Sequence, residues 1–226
     1  MKSSKNKGVF GNYKGLINAL LIANGVSVLL FLLRVIDSGN LRYWFLLWNL
    51  VLAWIPLLVA MLLVLRLKKS RWSEPINILL TIFWLIFLPN SFYLVSDLIH
   101  LQTTYEVSVL YDAVLFTSFI INGFISGYIS IYFIHVELIK RLGKKAAHYT
   151  IAGVFLISGF AVYLGRVLRW NSWDLFVNPT SLAFDLTEQV VNQAAQTRAS
   201  VTTLSFFILT GGMYMALWHL IKAKKN

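Results

Sequence analysis

Six apolar runs govern what this chain can become. Each reaches the roughly 20 residues that a helix needs to cross the hydrocarbon of a bilayer. They run from about Leu16 to Ile36, Tyr43 to Leu65, Ile76 to Ile99, Val109 to His135, Ala146 to Leu168 and Val201 to Ile221. A chain of 226 residues that is 58% hydrophobic and 13% charged has more apolar side chains than a water-soluble domain of this length employs. The expectation is therefore all-α: a polytopic transmembrane helical bundle of about six spans, forming a single membrane domain over residues 1–226. Cysteine is absent, which excludes disulfides, thiol catalysis and thiolate metal sites. Residues 2–14 are polar and basic, and the long apolar run after them has no small-residue cleavage pattern. The first helix is thus expected to stay as an anchor.

A formal charge of +11 invites a nucleic-acid reading, but its distribution points to topology instead. The basic residues cluster between apolar runs: Lys2, Lys5, Lys7 and Lys14; Arg66, Lys68, Lys69 and Arg71; Lys140, Arg141, Lys144 and Lys145; Lys222, Lys224 and Lys225. These make up 15 of the 20 basic residues, all on one side of a six-span arrangement. The positive-inside rule then puts both termini in the cytoplasm. All acids except Glu74 and Glu137 fall near the other side. The longest loop, about 170–200, is expected outside. Asn178-Pro179 reads as an N-cap followed by proline at the first helical position. Leu182, Leu186, Val190 and Ala194 then recur every four residues, as in a short amphipathic helix lying on the membrane surface.

Residues three, four and seven apart share a helix face. Asn90, Tyr93, Asp97 and His100 fall on one stripe of the third span; Asp112, Asn122, Ser126 and Ser130 on one stripe of the fourth. Arg42, Asn49 and Pro56 align in the second span, and Asn24, Ser27 and Arg34 in the first. Arg166, Arg169, Trp170 and Trp173 align if the fifth helix continues. Lipid cannot satisfy such groups, so they turn toward the bundle interior or a wet cavity. With a rise of about 1.5 Å per residue, Asp97, Asp112, Arg166 and Arg34 all come out near the outer boundary. Five helices thus bring polar groups to one leaflet. The expectation is a composite polar pocket that opens outward or sideways there.

Within it, Pro89 should kink the third span, and Asn90 can bond backbone groups the kink sets free. Asp97 and His100, one turn apart, are candidate catalytic residues, as a base and its orienting partner. Read as metal ligands they are too few, so no metal and no cofactor is assigned. Arg166 and Arg169 suit phosphate or carboxylate recognition. Asn49, Asn90, Asp112, Asn171 and Asp174 complete the candidate substrate-binding set. Taken singly, the acids and arginines also fit plain salt-bridged anchors at helix ends. Gly123 and Gly127 form a Gly-x-x-x-Gly pair, and Ala161 and Gly165 repeat its spacing; ordinary packing within the chain is the simplest use of both. His135, His148 and His219 read as surface residues at the cytoplasmic ends of spans. Glu137 is expected to pair with Lys140 or Arg141.

Three stretches carry a family resemblance. The run Pro89-Asn90-Ser91-Phe92-Tyr93-Leu94-Val95-Ser96-Asp97-Leu98-Ile99-His100-Leu101 resembles the signature of the bacterial membrane family labelled "domain of unknown function 1361". The stretches Trp48–Pro56 and Tyr163–Asp174 are similar to the same family. The resemblance implies a multi-pass protein of the bacterial cytoplasmic membrane with about six helices. It implies no activity and transfers no catalytic residue.

Three functions compete at this point. One is a membrane enzyme or binder acting on an amphiphile, such as a lipid-linked anion, at the outer leaflet. The second is a transporter or flippase with a path along Asn122, Ser126 and Ser130. The third is a scaffold whose polar residues only lock helices together. Membrane lipids are the expected partners, nucleic acid is not, and nothing in the pattern sets an oligomeric state.

Overall fold

The computed structural model describes residues 9–103 and 107–223, without the side chains of residues 9–12, 188 and 190. Lys2, Lys5, Lys7, Glu106, Lys224 and Lys225 therefore lie outside the described residues, as do the side chains of Glu188 and Val190. The described residues form helices and no strand: α1 (Val9–Ser38), α2 (Phe45–Leu67), α3 (Pro75–Phe87), α4 (Pro89–Ser96), α5 (Val109–Leu142), α6 (Lys144–Val167), α7 (Asp174–Val177), α8 (Pro179–Val191), α9 (Gln193–Phe206) and α10 (Gly212–Ala223). A 3-10 turn, Asp97–His100, extends α4, and a π-turn, Phe207–Gly211, joins α9 to α10. Six helical stretches are long and apolar enough to cross a membrane, with α3 and α4 making one and α9 and α10 another.

The long α5 is the axis of the bundle and packs on α1, α2, α4 and α6. Its contact with α4 is close because Gly123 and Gly127 face it. A Cβ on Gly123 would sit 2.5 Å from Leu94 Cδ1 and 2.6 Å from the Ser91 carbonyl oxygen, and one on Gly127 2.8 Å from Ser91 Cβ. The Gly-x-x-x-Gly pair thus serves packing within the chain, where dispersion needs close backbones. Polar groups where α3 and α2 meet α5 are turned on protein partners. Trp84 Nε1 donates to Ser130 Oγ at 2.7 Å, and Ser130 Oγ donates to the Pro56 carbonyl at 3.0 Å.

Span ends differ from the hydropathy reading where polar residues continue a helix. The last span begins at Gln193 rather than Val201, because Asn192 caps it: its side chain accepts from the amides of Ala194 and Ala195 at 3.0 and 3.2 Å. The amphipathic helix ends at Val191, so Ala194 belongs to the next helix. Within α8, Leu182 is buried and Phe184 exposed. Exposed Phe176, Val177, Phe184 and Val191 give α7 and α8 an apolar surface suited to the membrane interface.

His135 corrects the surface reading. It is fully buried, stacked on Trp218 at 4.2 Å between ring centroids, with Nδ1 2.9 Å from the Tyr214 hydroxyl. The cause is that α5 runs two turns further, to Leu142, with α10 alongside. Glu137 bonds Lys140 at 2.6 Å and lies 3.9 Å from Arg141, as the spacing predicts. The glycine contact yields a test. Gly123→Val overpacks the α4–α5 contact and costs about 1–3 kcal/mol. Gly25→Val, where no atom lies within 4 Å of the new Cβ, is tolerated. Thermal unfolding of the detergent-solubilised protein separates the two.

Candidate functional site

Two elements of the third span prepare the site. Proline at position 89 has no N–H for the Leu85 carbonyl, and Ser91 N turns to the Leu88 carbonyl at 3.1 Å, in 3-10 fashion. The carbonyls around the break are taken by side chains. Asn90 Nδ2 donates to Phe87 O at 3.0 Å and to Ser172 Oγ at 2.9 Å, and Ser172 Oγ donates to Ile86 O at 3.2 Å. Asn90 therefore repairs the backbone and also binds the 170–174 turn to the third span.

One to two turns further on, Asp97 is almost completely buried. Its Oδ1 accepts from Arg166 at 2.5 Å and its Oδ2 from Asn49 Nδ2 at 2.8 Å. Arg166 also donates to Ser96 Oγ, from Nε at 2.9 Å and from a terminal nitrogen at 2.7 Å. Its guanidinium lies 4.3 Å from the centroid of the Tyr93 ring. The other terminal nitrogen is 3.1 Å from His100 Nε2. An arginine only donates, so His100 accepts there and carries its proton on Nδ1. Three helices, α2, α4 with its 3-10 turn, and α6, thus meet through one ion pair in a medium where neither charge could be left alone.

This network forms one end of a cavity of about 680 Å³. Its floor is the α3–α4 break, from Leu85 to Asn90; α2 and α6 flank it, and Leu175 and Leu182 of α7 and α8 roof it. The roof is tied down by Trp170 Nε1 donating to Asp185 at 2.7 Å and by the Tyr163 hydroxyl donating to Gln189 at 2.6 Å. On the flanks, Trp48 of α2 is 48% exposed and Ile157 of α6 57% exposed. Ile157 lies nine residues before Arg166 on α6, about 14 Å of helical rise. Exposed apolar side chains thus flank the cavity at both ends of this rise.

The candidate residues divide. Asn49, Asn90, Asp97, His100, Arg166 and Asn171 line the cavity. Asp112, Arg169 and Asp174 stand apart from its lining. Asp112 is buried against Arg34 at 2.8 Å on the α1–α5 side. The same arginine donates to Ser38 and Asn40, each at 3.1 Å, and covers the Tyr43 ring at 4.3 Å. Arg169 is exposed because α6 stops at Val167 instead of continuing: its φ is +61°, and Trp170 N closes back on Leu164 O at 3.2 Å. Asp174 accepts from the Asn171 amide at 2.6 Å and serves the turn. Asn122 of the α5 stripe is engaged in packing: its Nδ2 donates to Ala23 O at 3.0 Å and to Ser27 Oγ at 2.8 Å. Helical phase alone could not name Ser96, Ser172 or Trp44 as participants. Ser96 sits beside Asp97 in the same motif, which was the one available signal.

Fold and cavity together define a six-span integral membrane protein with a pocket lined by α2, the α3–α4 break, α6 and the elements after it. The family model described as "Protein of unknown function (DUF1361)" matches residues 48–214. The chain belongs to that family. The matched stretch contains every cavity residue named above except Trp44. No curated protein and no solved structure matches the chain.

The closed Arg34–Asp112 pair has a measurable signature. Asp112→Ala strands the arginine and costs about 3–5 kcal/mol. The double variant Arg34→Met/Asp112→Leu loses clearly less than the two single losses combined. Denaturant unfolding in mixed micelles measures all three.

Proposed function

We propose that this protein binds an amphiphile drawn sideways from the outer leaflet of the bacterial cytoplasmic membrane. The polar head lies between the Asp97–Arg166–His100 network and Asn90. The apolar part leaves between α2 and α6. One observation carries this: a single cavity holds a buried ion pair at one end and apolar walls exposed at hydrocarbon depth at the other. Its reach of about 14 Å along α6 is close to half of the roughly 30 Å hydrocarbon core, so one leaflet supplies the ligand. The basic clusters at the opposite end of the bundle support the outward orientation of the site.

Asp97 is bonded through both oxygens, which makes it the group that holds Arg166 and Asn49 in place. The exposed His100, whose Nδ1–H meets no acceptor among the described residues, is the group best placed to move a proton if the bound molecule is also processed. The transporter reading has less support, because Asn122 and Ser130 of α5 are engaged with neighbouring helices and α5 lines no part of this cavity.

A phospholipid with a photoreactive group in its acyl chain tests the reading in nanodiscs. Adducts are expected on Trp48, Ile157 or Leu164. Ala161→Trp, which fills the cavity without touching the ion pair, should cut them about tenfold, the equivalent of about 1.4 kcal/mol. Arg169→Gly should leave them unchanged. Adducts spread evenly over all six spans, with no response to Ala161→Trp, would sink the proposal.

A further inference from the structure

The hydrogen-bonding capacity left over in the cavity specifies its ligand more closely. Asn49 and Asn90 both give their amide nitrogens to groups that only accept: the Asp97 carboxylate at 2.8 Å and the Phe87 carbonyl at 3.0 Å. That settles which way each side-chain amide points. Each therefore has its Oδ1 on the other side. Among the described residues nothing donates to either oxygen, and both residues are half-buried and line the cavity. The Tyr93 hydroxyl likewise gives its proton to the Gly165 carbonyl at 3.2 Å and keeps an acceptor lone pair. Asn49, Asn90 and Tyr93 thus each bring an unengaged acceptor to the cavity lining, while the second Nδ2–H of Asn49, the indole N–H of Trp44 and Trp48 and the Nδ1–H of His100 meet no acceptor among the described residues; a hydroxyl, which both donates and accepts, matches this mixture.

Charge is the second observation. The formally charged side chains lining the cavity are Asp97 and Arg166, and they neutralise each other at 2.5 Å. A bare phosphate meets no uncompensated cation there, and an ammonium meets no uncompensated carboxylate. Size is the third. Asn90 lies seven residues before Asp97, the partner of Asn49, about 10 Å of helical rise, so the two asparagines line the cavity at different levels and suit a head group with several hydroxyls more than one compact phosphate. Trp44, Trp48 and Trp170 add broad aromatic walls around this space.

Building on the amphiphile reading, we infer that the head group is uncharged and rich in hydroxyls, a glycosyl or polyol group that donates to Asn49 and Asn90 together. Acceptors that a bound ligand covers discriminate strongly, because a ligand without the matching donor leaves them dry and unpaired. The anion expected from the pair Arg166 and Arg169 is replaced by a donor-rich neutral head, since Arg166 is committed to Asp97 and Ser96 and Arg169 lies outside the lining.

Competition against the photoreactive phospholipid tests the inference. Dodecyl maltoside, monododecanoylglycerol and dodecyl phosphate share one chain length and are added to the nanodiscs below their micellar concentrations. Dodecyl maltoside should displace the label at about one-tenth the concentration dodecyl phosphate needs, a preference worth about 1.4 kcal/mol. Asn49→Leu and Asn90→Leu should each bring that ratio toward one. The ratio is the informative readout: a variant that merely loosens the fold weakens both competitors alike. Monododecanoylglycerol matching the maltoside supports the inference with a glycerol source for the hydroxyls; the maltoside alone competing supports it with a sugar source. Dodecyl phosphate competing as well as the maltoside in the unaltered protein overturns the inference and leaves the amphiphile reading standing. Failure of all three competitors, with cavity labelling unaffected by Ala161→Trp, overturns both.

Discussion

A proline inside a membrane-spanning helix leaves carbonyl oxygens without partners where water is scarce, and lipid offers no substitute. Around Pro89 this chain turns two side chains onto the neighbouring carbonyls. Asn90 and Ser172 take the Phe87 and Ile86 carbonyls, and by bonding each other they bring the 170–174 turn down onto the break. That repair positions much of what lies above it. The turn carries Trp170, which holds Asp185 and so keeps α8 over the cavity. The short α4 after the break is pressed against the glycines of α5. Its 3-10 extension then presents Asp97 and His100 to α6.

The bundle contains two ion pairs of similar chemistry and different use. Arg34 and Asp112 are 1% and 0% exposed, respectively, enclosed between α1, α5 and the turn at Tyr43. That pair joins helices. In the other pair Asp97 is as buried, while Arg166 keeps 17% of its side chain accessible and touches a cavity. The difference follows from what surrounds each pair: α1, α5 and the Tyr43 ring close over the first, whereas α2 and α6 flank the second without filling the space between them. Burying a charged pair gains little net stability by itself. An opening beside one of them is therefore the structural reason to look for a ligand there.

Much of the fold was legible in the sequence because lipid imposes a simple rule on composition. The number of spans followed from apolar runs, and the Gly123–Gly127 and Glu137–Lys140 contacts followed from helical spacing. Ends of spans were less legible: Gln193 to Ser200 are polar and look like a loop, yet Asn192 caps a helix there. His135 looked terminal only because the apolar run fades before α5 does. The site was legible as a set of helix faces. Phase showed that Asp97, His100, Asn90 and Tyr93 face one way, and depth showed that Arg166, Arg34 and Asp112 lie at a similar level. Phase carries no information on which neighbour a face meets, so two separate networks were merged into one.

The sequence by itself determined that this is a six-span membrane protein with polar faces gathered near one membrane boundary, because apolar length and side-chain period are properties of each helix alone. Only the tertiary structure decided which polar residues pair, that Asp112 and Arg169 stand away from the cavity, and that α2 and α6 leave a space between them. Those outcomes depend on how helices pack around α5, where one close contact, such as Gly123 against Ser91, sets the distance for every helix beyond it. The acceptor oxygens of Asn49 and Asn90 belong to the same category. An asparagine offers both donor and acceptor until its neighbours take one of them.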